Sequence, residues 1–229
     1  MNVKIIHNPK EAIGIAVIID VFRAFTVEPY IISNGAKKLI SVGDKEIAYD
    51  LKEKNKDYIL IGERNGIKLP GFDYGNSPTQ IENVDFSGKV VIHTTSCGTQ
   101  GIVNAINANE IITGSFVNAS AIVKYIKQSR YNDISLVSLA RPGEKPSLED
   151  QLFAEYIKAL LENKIFSNLQ EKINELKNAS GAKFFDETLK EIFPEKDFYL
   201  CTEIDKFDFI LKVEKDINNN LCMNKIFVR

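Results

Sequence analysis

The chain has 229 residues, of which 44% are hydrophobic and 26% charged, and its formal net charge is −2. This is the balance of an ordinary globular protein, and a chain of this length hides roughly 70% of the surface that its unfolded form exposes. Without a basic excess on one face it does not fit a nucleic-acid binder, and no apolar run approaches the ~18 residues of a membrane span.

Over the first two-thirds, short β-branched runs alternate with amphipathic segments. Strands are predicted over residues 15–21, 38–42, 58–61, 89–93, 110–113 and 134–138, and helices over 25–33, 44–54, 99–108, 118–128 and 148–163. The opening Met1 to His7 is too short an apolar run for a secretory signal. Near-continuously apolar strands separated by helices indicate a largely parallel sheet covered on both faces. The expected fold is therefore an α/β three-layer sandwich with its central sheet flanked by helices. The stretch 164–193 reads as charged and helical, a helical insertion, and strands are expected over 197–201, 207–213 and 221–228. The run 207–213 alternates imperfectly, which suits a sheet edge. One domain spanning 1–229 is expected, its C-terminal strands completing the sheet.

Ligands of such sheets bind beyond the carboxyl ends of the strands, so the residues following each strand are the candidates. After the first comes Asp20-Val21-Phe22-Arg23-Ala24. Its carboxylate can hold a metal and its arginine can grip an anion; a helix cap with a surface arginine is the plainer alternative. After 58–61 come Gly62-Glu63-Arg64 and a loop running to Asn76-Ser77-Pro78, with four glycines and two prolines in seventeen residues. No regular element fits that composition, and Leu69, Phe72 and Tyr74 supply the means to order the loop by packing. An ordinary surface loop is the alternative.

Thr94-Thr95-Ser96-Cys97-Gly98-Thr99 follows the next strand. Hydroxyls and a glycine ahead of a helix can cradle an anion. Cys97 has no arginine close behind it and reads as an inert cysteine, and His93 as a structural histidine. Gly114-Ser115-Phe116-Val117-Asn118 could add donors or simply cap a helix. The run 139–150 contains Arg141 and ends in Glu149-Asp150, which complements Asp20 as hard oxygen ligands for magnesium, or else favours a helix dipole. Carboxylates, arginines and a hydroxyl-rich loop, with scarcely any histidine, suit magnesium-assisted chemistry on a phosphorylated acid. Cys97, Cys201 and Cys222 are widely spaced and odd in number. They make neither a disulfide framework nor a zinc site, which fits a reducing cytoplasm.

These segments, in this order, resemble the 2-phosphosulfolactate phosphatase family, over roughly residues 3–157 with an echo in the C-terminal strands. Where relatives often carry asparagine before the loop glycine, this chain has Ser96-Cys97. The resemblance implies a magnesium-dependent phosphatase that cleaves 2-phosphosulfolactate to sulfolactate and phosphate, a step toward coenzyme M. On this reading Asp20, with Glu149 or Asp150, holds Mg2+, and Arg23 and Arg64 grip the anionic groups. Glu63 orients the attacking water, while Asn76, Thr95, Ser96, Gly98, Thr99 and Ser115 bind substrate. The expected partner is a small doubly anionic phosphate ester, with no nucleic acid and no membrane, and the chain is compatible with a homo-oligomer. The rival readings are a phosphatase for another small phosphorylated acid, a non-catalytic binder of phosphorylated metabolites, and a Cys97-dependent hydrolase.

Overall fold

The computed structural model describes residues 1–140 and 145–228. Its strands are β1 (Asn2–Ile6), β2 (Ile15–Ile19), β3 (Lys38–Ser41), β4 (Ile59–Arg64), β5 (Ile67–Lys68), β6 (Val90–Thr94), β7 (Glu110–Gly114), β8 (Asp133–Ser138), β9 (Phe209–Lys215) and β10 (Leu221–Phe227). Its α-helices are α1 (Ala24–Ser33), α2 (Lys45–Lys54), α3 (Pro78–Ile81), α4 (Gly98–Asn104), α5 (Ala119–Gln128), α6 (Leu148–Leu161), α7 (Leu169–Glu175) and α8 (Glu195–Thr202). The strands form one sheet in the order β1-β8-β2-β7-β9-β10-β3-β6-β4-β5. The α/β class and the helix-flanked, mostly parallel sheet agree with the expectation.

The sheet has two parallel groups. Strands β1, β8, β2 and β7 pair in parallel, as do β3, β6 and β4. The antiparallel hairpin β9–β10 joins them, β9 pairing with β7 and β10 with β3. The C-terminal strands therefore complete the sheet as expected, but at its centre rather than its edge. Three consecutive fully buried residues, Phe209, Ile210 and Leu211, are the mark of that interior position.

Side chains alternate across each strand, and the sheet separates three apolar clusters. Ile15, Val17 and Ile19 of β2 face outward, toward α5, α6 and the C-terminal segment. Ala16 and Ile18 face inward, where they share a cluster with Leu39, Ile61 and Val91 of the second group and with α1. Ile40, Leu60 and Ile92 point the other way, toward α2 and the long loop. Because both groups pack on α1, the carboxyl end of β2 and that of β6 meet.

Helix α1 is apolar nearly all round and buried from Ala24 to Ile31, as a central helix must be. It contains Pro29, which cannot donate to the carbonyl four residues earlier. The Ser115 hydroxyl donates to that carbonyl, of Phe25, at 3.0 Å instead.

Four local expectations need correction. Residues 197–201 are helical: Pro194 precedes α8, acidic Glu195 and Asp197 stand in its first turn, and the buried residues Asp197, Phe198, Cys201 and Thr202 follow a helical face. Strand β1 was not expected; it pairs with β8 at the sheet edge. The 62–78 loop opens with a short β4–β5 hairpin around Asn65 and Gly66, both at positive φ (54° and 83°). An Asn-Gly pair is what a two-residue turn of that handedness favours. The stretch 164–193 is helical only in part, as α7 and two 3-10 turns.

The central position of β9 makes a prediction. Leu211→Ala, in a fully buried site, should lower unfolding free energy by about 2–5 kcal/mol in denaturant titration. Ile67→Thr, in the exposed edge strand β5, should change it by less than about 0.5 kcal/mol.

Candidate active site

Two adjoining cavities, of about 260 and 300 Å³, open at the carboxyl ends of β2, β4 and β6. Asp20, Phe22, Cys97 and Lys183 line both. The first is completed by Arg23, Glu63, Asn65, Gly66, Asn76, Ser96 and Phe193, the second by Leu139, Lys145, Ser147, Glu149 and Asp150.

The second cavity is the acidic lobe. One Asp20 oxygen accepts the Ala24 N–H at 3.1 Å, the contact of the plainer helix-capping alternative. Burial pushes the Asp20 carboxyl up to about 6, with the Glu63 and Glu149 carboxylates adding to the rise and the Lys183 ammonium opposing it. Asp150 uses both of its oxygens, one for the Val21 N–H and one for the Ser147 hydroxyl, each at 2.8 Å. Burial raises its carboxyl well above the usual range, helped by Glu149 and Asp20. Glu149 differs, because its Oε2 is buried with no hydrogen-bond partner. An orphaned carboxylate oxygen beside a carboxyl of raised pKa is what a divalent cation would relieve. Among the described residues no three His, Cys, Asp or Glu side chains form a preformed metal cage. Magnesium needs only one or two carboxylates, taking its other ligands from water and phosphate oxygens.

The first cavity is walled by groups that brace one another. Glu63 accepts the Ser96 N–H at 2.7 Å, the Ser96 hydroxyl at 3.0 Å and the Gly66 N–H at 2.6 Å. Both of its oxygens are engaged, so it ties the β4–β5 turn to the loop after β6 and is not disposed as a base. Thr95 and Thr99 exchange hydrogen bonds between side chains and backbone at 3.1–3.3 Å. Their hydroxyls shape the start of α4 and line neither cavity. Gly98 allows that start to sit against β2: a Cβ there would lie 2.8 Å from Asp20 Oδ2 and 2.9 Å from Ala24 Cβ.

The arginines are placed differently from the expectation. Arg23 lines the first cavity, but its Nη1 donates to the Ile192 carbonyl (2.9 Å) and to buried Asp197 (2.8 Å), and its Nη2 to the Gly66 carbonyl (3.3 Å). Its guanidinium therefore clamps protein segments together. Arg64 donates to the carbonyls of Glu63 and Gly43 and to the Thr94 hydroxyl, away from both cavities. Ser115 is fully buried beneath α1, occupied by the carbonyl that Pro29 leaves open. Asn76 does reach the first cavity, and Arg141 lies outside the described residues.

Lys183, a cation that lines both cavities beside the carboxylates, was not among the expected site residues. Lys183 lies 5.3–5.8 Å from the ring centroids of Phe22, Phe184 and Phe193, distances at which an ammonium is held over aromatic faces. The 164–193 stretch thus walls the site through Lys183 and Phe193. A lysine beside the run Phe184-Phe185 is the only local signal, and it is a weak one.

The sequence matches the family described as 2-phosphosulpholactate phosphatase over residues 3–216. The chain belongs to that family. Among relatives named "Probable 2-phosphosulfolactate phosphatase", one from Bacillus subtilis (strain 168) is 32% identical over 212 residues, covering 92% of this chain and 91% of that protein. One from Thermoplasma volcanium is 37% identical over 199 residues, covering 86% and 88%. One from Thermotoga maritima is 37% identical over 204 residues, covering 84% and 86%. The matched range takes in the whole site, Lys183 included. No helix of the described residues is long and apolar enough to cross a membrane.

The raised Asp20 carboxyl has a consequence for stability. The folded metal-free protein holds this proton more tightly than the unfolded chain, so stability falls as pH rises from about 4 to about 6 and stays reduced above that. Asp20→Asn removes the loss. Thermal unfolding in chelator should show the variant gaining more over wild type at about pH 7.5 than at about pH 4. An equal gain at both values would contradict the assignment.

Proposed function

We propose that this protein is a phosphoric monoester hydrolase that converts 2-phosphosulfolactate and water to sulfolactate and phosphate, with Mg2+ as its cofactor. The observation that carries this is a shared boundary: one lobe presents Asp20 and the orphaned Glu149 oxygen, the other presents amide groups, and Lys183 stands between them. A doubly anionic ester needs two adjacent addresses of this kind. Membership of the family points to the same ester.

Asp20 and Glu149 would hold the cation, and Asp150, with both oxygens engaged, would fix the first turn of α6 that presents Glu149. Bound there, Mg2+ would neutralise phosphate charge that develops during transfer. The Lys183 ammonium supplies a further positive charge to the phosphoryl oxygens, and the Asn76 amide lines the cavity that takes the ester's anionic groups. A water oxygen bonds to phosphorus as the ester P–O bond breaks, and a proton ends on the sulfolactate hydroxyl. Positioning and electrostatics supply most of the rate in such transfers, which suits a site of braced walls. Arg23, Glu63 and Arg64 contribute by holding those walls. Buried Cys201 and Cys222 are free thiols, and we assign the protein to the cytoplasm and its reaction to coenzyme M biosynthesis.

Phosphate release from 2-phosphosulfolactate, phospholactate, phosphoglycerates and p-nitrophenyl phosphate, each with Mg2+ and with chelator, tests the proposal. Magnesium-dependent release from 2-phosphosulfolactate above the others is the expected result. Lys183→Ala should lower kcat/KM at least about tenfold, about 1.4 kcal/mol of transition-state stabilisation. Release that persists in chelator, or from none of the esters, would overturn it.

A further inference from the structure

Behind Asn76 in the wall of the first cavity runs a buried polar chain whose Glu28 and His93 the mechanism above does not use. Glu28 on α1 and His93 on β6 are wholly buried, and Asn76 is 5% exposed at the cavity wall. His93 Nδ1 stands 3.0 Å from Glu28 Oε1, and His93 Nε2 stands 3.2 Å from Asn76 Oδ1. The Ser41 hydroxyl donates to Glu28 Oε1 at 2.7 Å, and Glu28 Oε2 is buried without a partner. Burying a carboxylate and an imidazole in an apolar core is unfavourable unless their contacts compensate. This chain spans three elements and ends on a side chain that faces the candidate substrate.

The chemistry of the contacts fixes the direction of the chain. An amide oxygen only accepts, so the contact to Asn76 Oδ1 requires a proton on His93 Nε2. The tautomer of a histidine is set by what its other nitrogen meets, and Nδ1 meets the Glu28 carboxyl. The proton shared between Nδ1 and Oε1 can rest on either atom without removing the one on Nε2. With Oδ1 pinned, the amide cannot turn over. Its two N–H donors on Nδ2, which make no other hydrogen bond among the described residues, are left to the cavity. Turned over, the amide would offer an oxygen to an anion and repel it.

The geometry points to Glu28 and His93 as positioning residues that orient Asn76, so that its amide N–H groups donate to an anionic group of the substrate. This rests on reading the cavity as an anion site and deepens it by naming the residues that set its donor polarity. His93, which reads from sequence as a structural histidine, acts on the ligand through Asn76.

The test combines inorganic phosphate binding by calorimetry with Michaelis parameters for 2-phosphosulfolactate in Asn76→Ala, His93→Phe, His93→Gln and the double variant Asn76→Ala/His93→Phe. Asn76→Ala and His93→Phe should each weaken phosphate binding and raise KM by about tenfold, with a smaller change in kcat. His93→Gln, whose amide can still donate to Oδ1, should recover most of the loss. The double variant should match Asn76→Ala alone, because His93 acts only through that residue. An equal loss from His93→Phe in the Asn76→Ala background, or a fall in Tm with phosphate binding unchanged, would overturn the inference. Should His93→Phe fail to fold, Asn76→Asp decides: isosteric but lacking donors, it should weaken phosphate binding more than Asn76→Ala, and binding equal to wild type would overturn the inference. A wild-type protein that binds phosphate with these dependencies yet hydrolyses no ester would remove the phosphatase reading and leave this one standing.

Discussion

The Arg23 guanidinium and the Asp197 carboxylate meet at 2.8 Å with almost no exposure to water, 3% and 0% of their side chains respectively. Removing two charges from water costs several kcal/mol per ion unless every remaining donor and acceptor is used. Here they are used well. Asp197 also accepts the Ser77 hydroxyl and the Thr79 N–H, while Arg23 reaches the Ile192 and Gly66 carbonyls and lies 4.8 Å from the centroid of the Phe193 ring. One ion pair thereby joins the end of β2, the long loop after β4 and the C-terminal segment, which are far apart in the chain. The site exists where these three meet. Asp20 and Phe22 stand beside Arg23, Asn76 beside Ser77, and Phe193 beside the guanidinium, so none can shift without disturbing the pair.

Against that rigid frame the acidic lobe is unfavourable for a protein alone. Asp20 and Asp150, whose charge burial disfavours, are drawn together with Glu149, one oxygen of which has no partner. Such arrangements cluster at functional sites because the unfavourable charge is released when a ligand arrives. In the proposed mechanism a divalent cation carrying an anionic ester would supply what the carboxylates lack, with Lys183 close by. The Ser77 and Thr79 contacts and the Glu63 clamp around Ser96 and Gly66 keep the walls in place as that charge changes.

Much of this was legible in the sequence because it is local. The continuous apolar run of β2 announced a buried parallel strand, and Asp20, Glu63, Asn76, Ser96 and Glu149 were found by reading past strand ends. What was illegible depends on contacts between distant segments. Arg23 looked like an anion grip because Asp197, its partner, lies 174 positions away. Ser115 looked like a ligand donor because nothing near it shows that Pro29 leaves a carbonyl open. A strand is the expectation over 197–201, although Pro194 and the spacing of the buried positions from 197 to 202 carry the helical signal. The place of β9–β10 between two parallel groups is a matter of sheet order, which local periodicity does not encode. Lys183 lies in a stretch that reads from sequence only as a charged, helical insertion with a weak aromatic signal at Phe184-Phe185.

In the proposed mechanism Asp20 and Glu149 hold a cation beside Lys183. Crystals soaked in Mn2+ and measured at its absorption edge address that most directly. The expected result is one anomalous peak in the acidic lobe, bonded to the Asp20 carboxylate and to the Glu149 oxygen that has no protein partner. A peak elsewhere, or none in crystals of protein that turns over the ester, would contradict it.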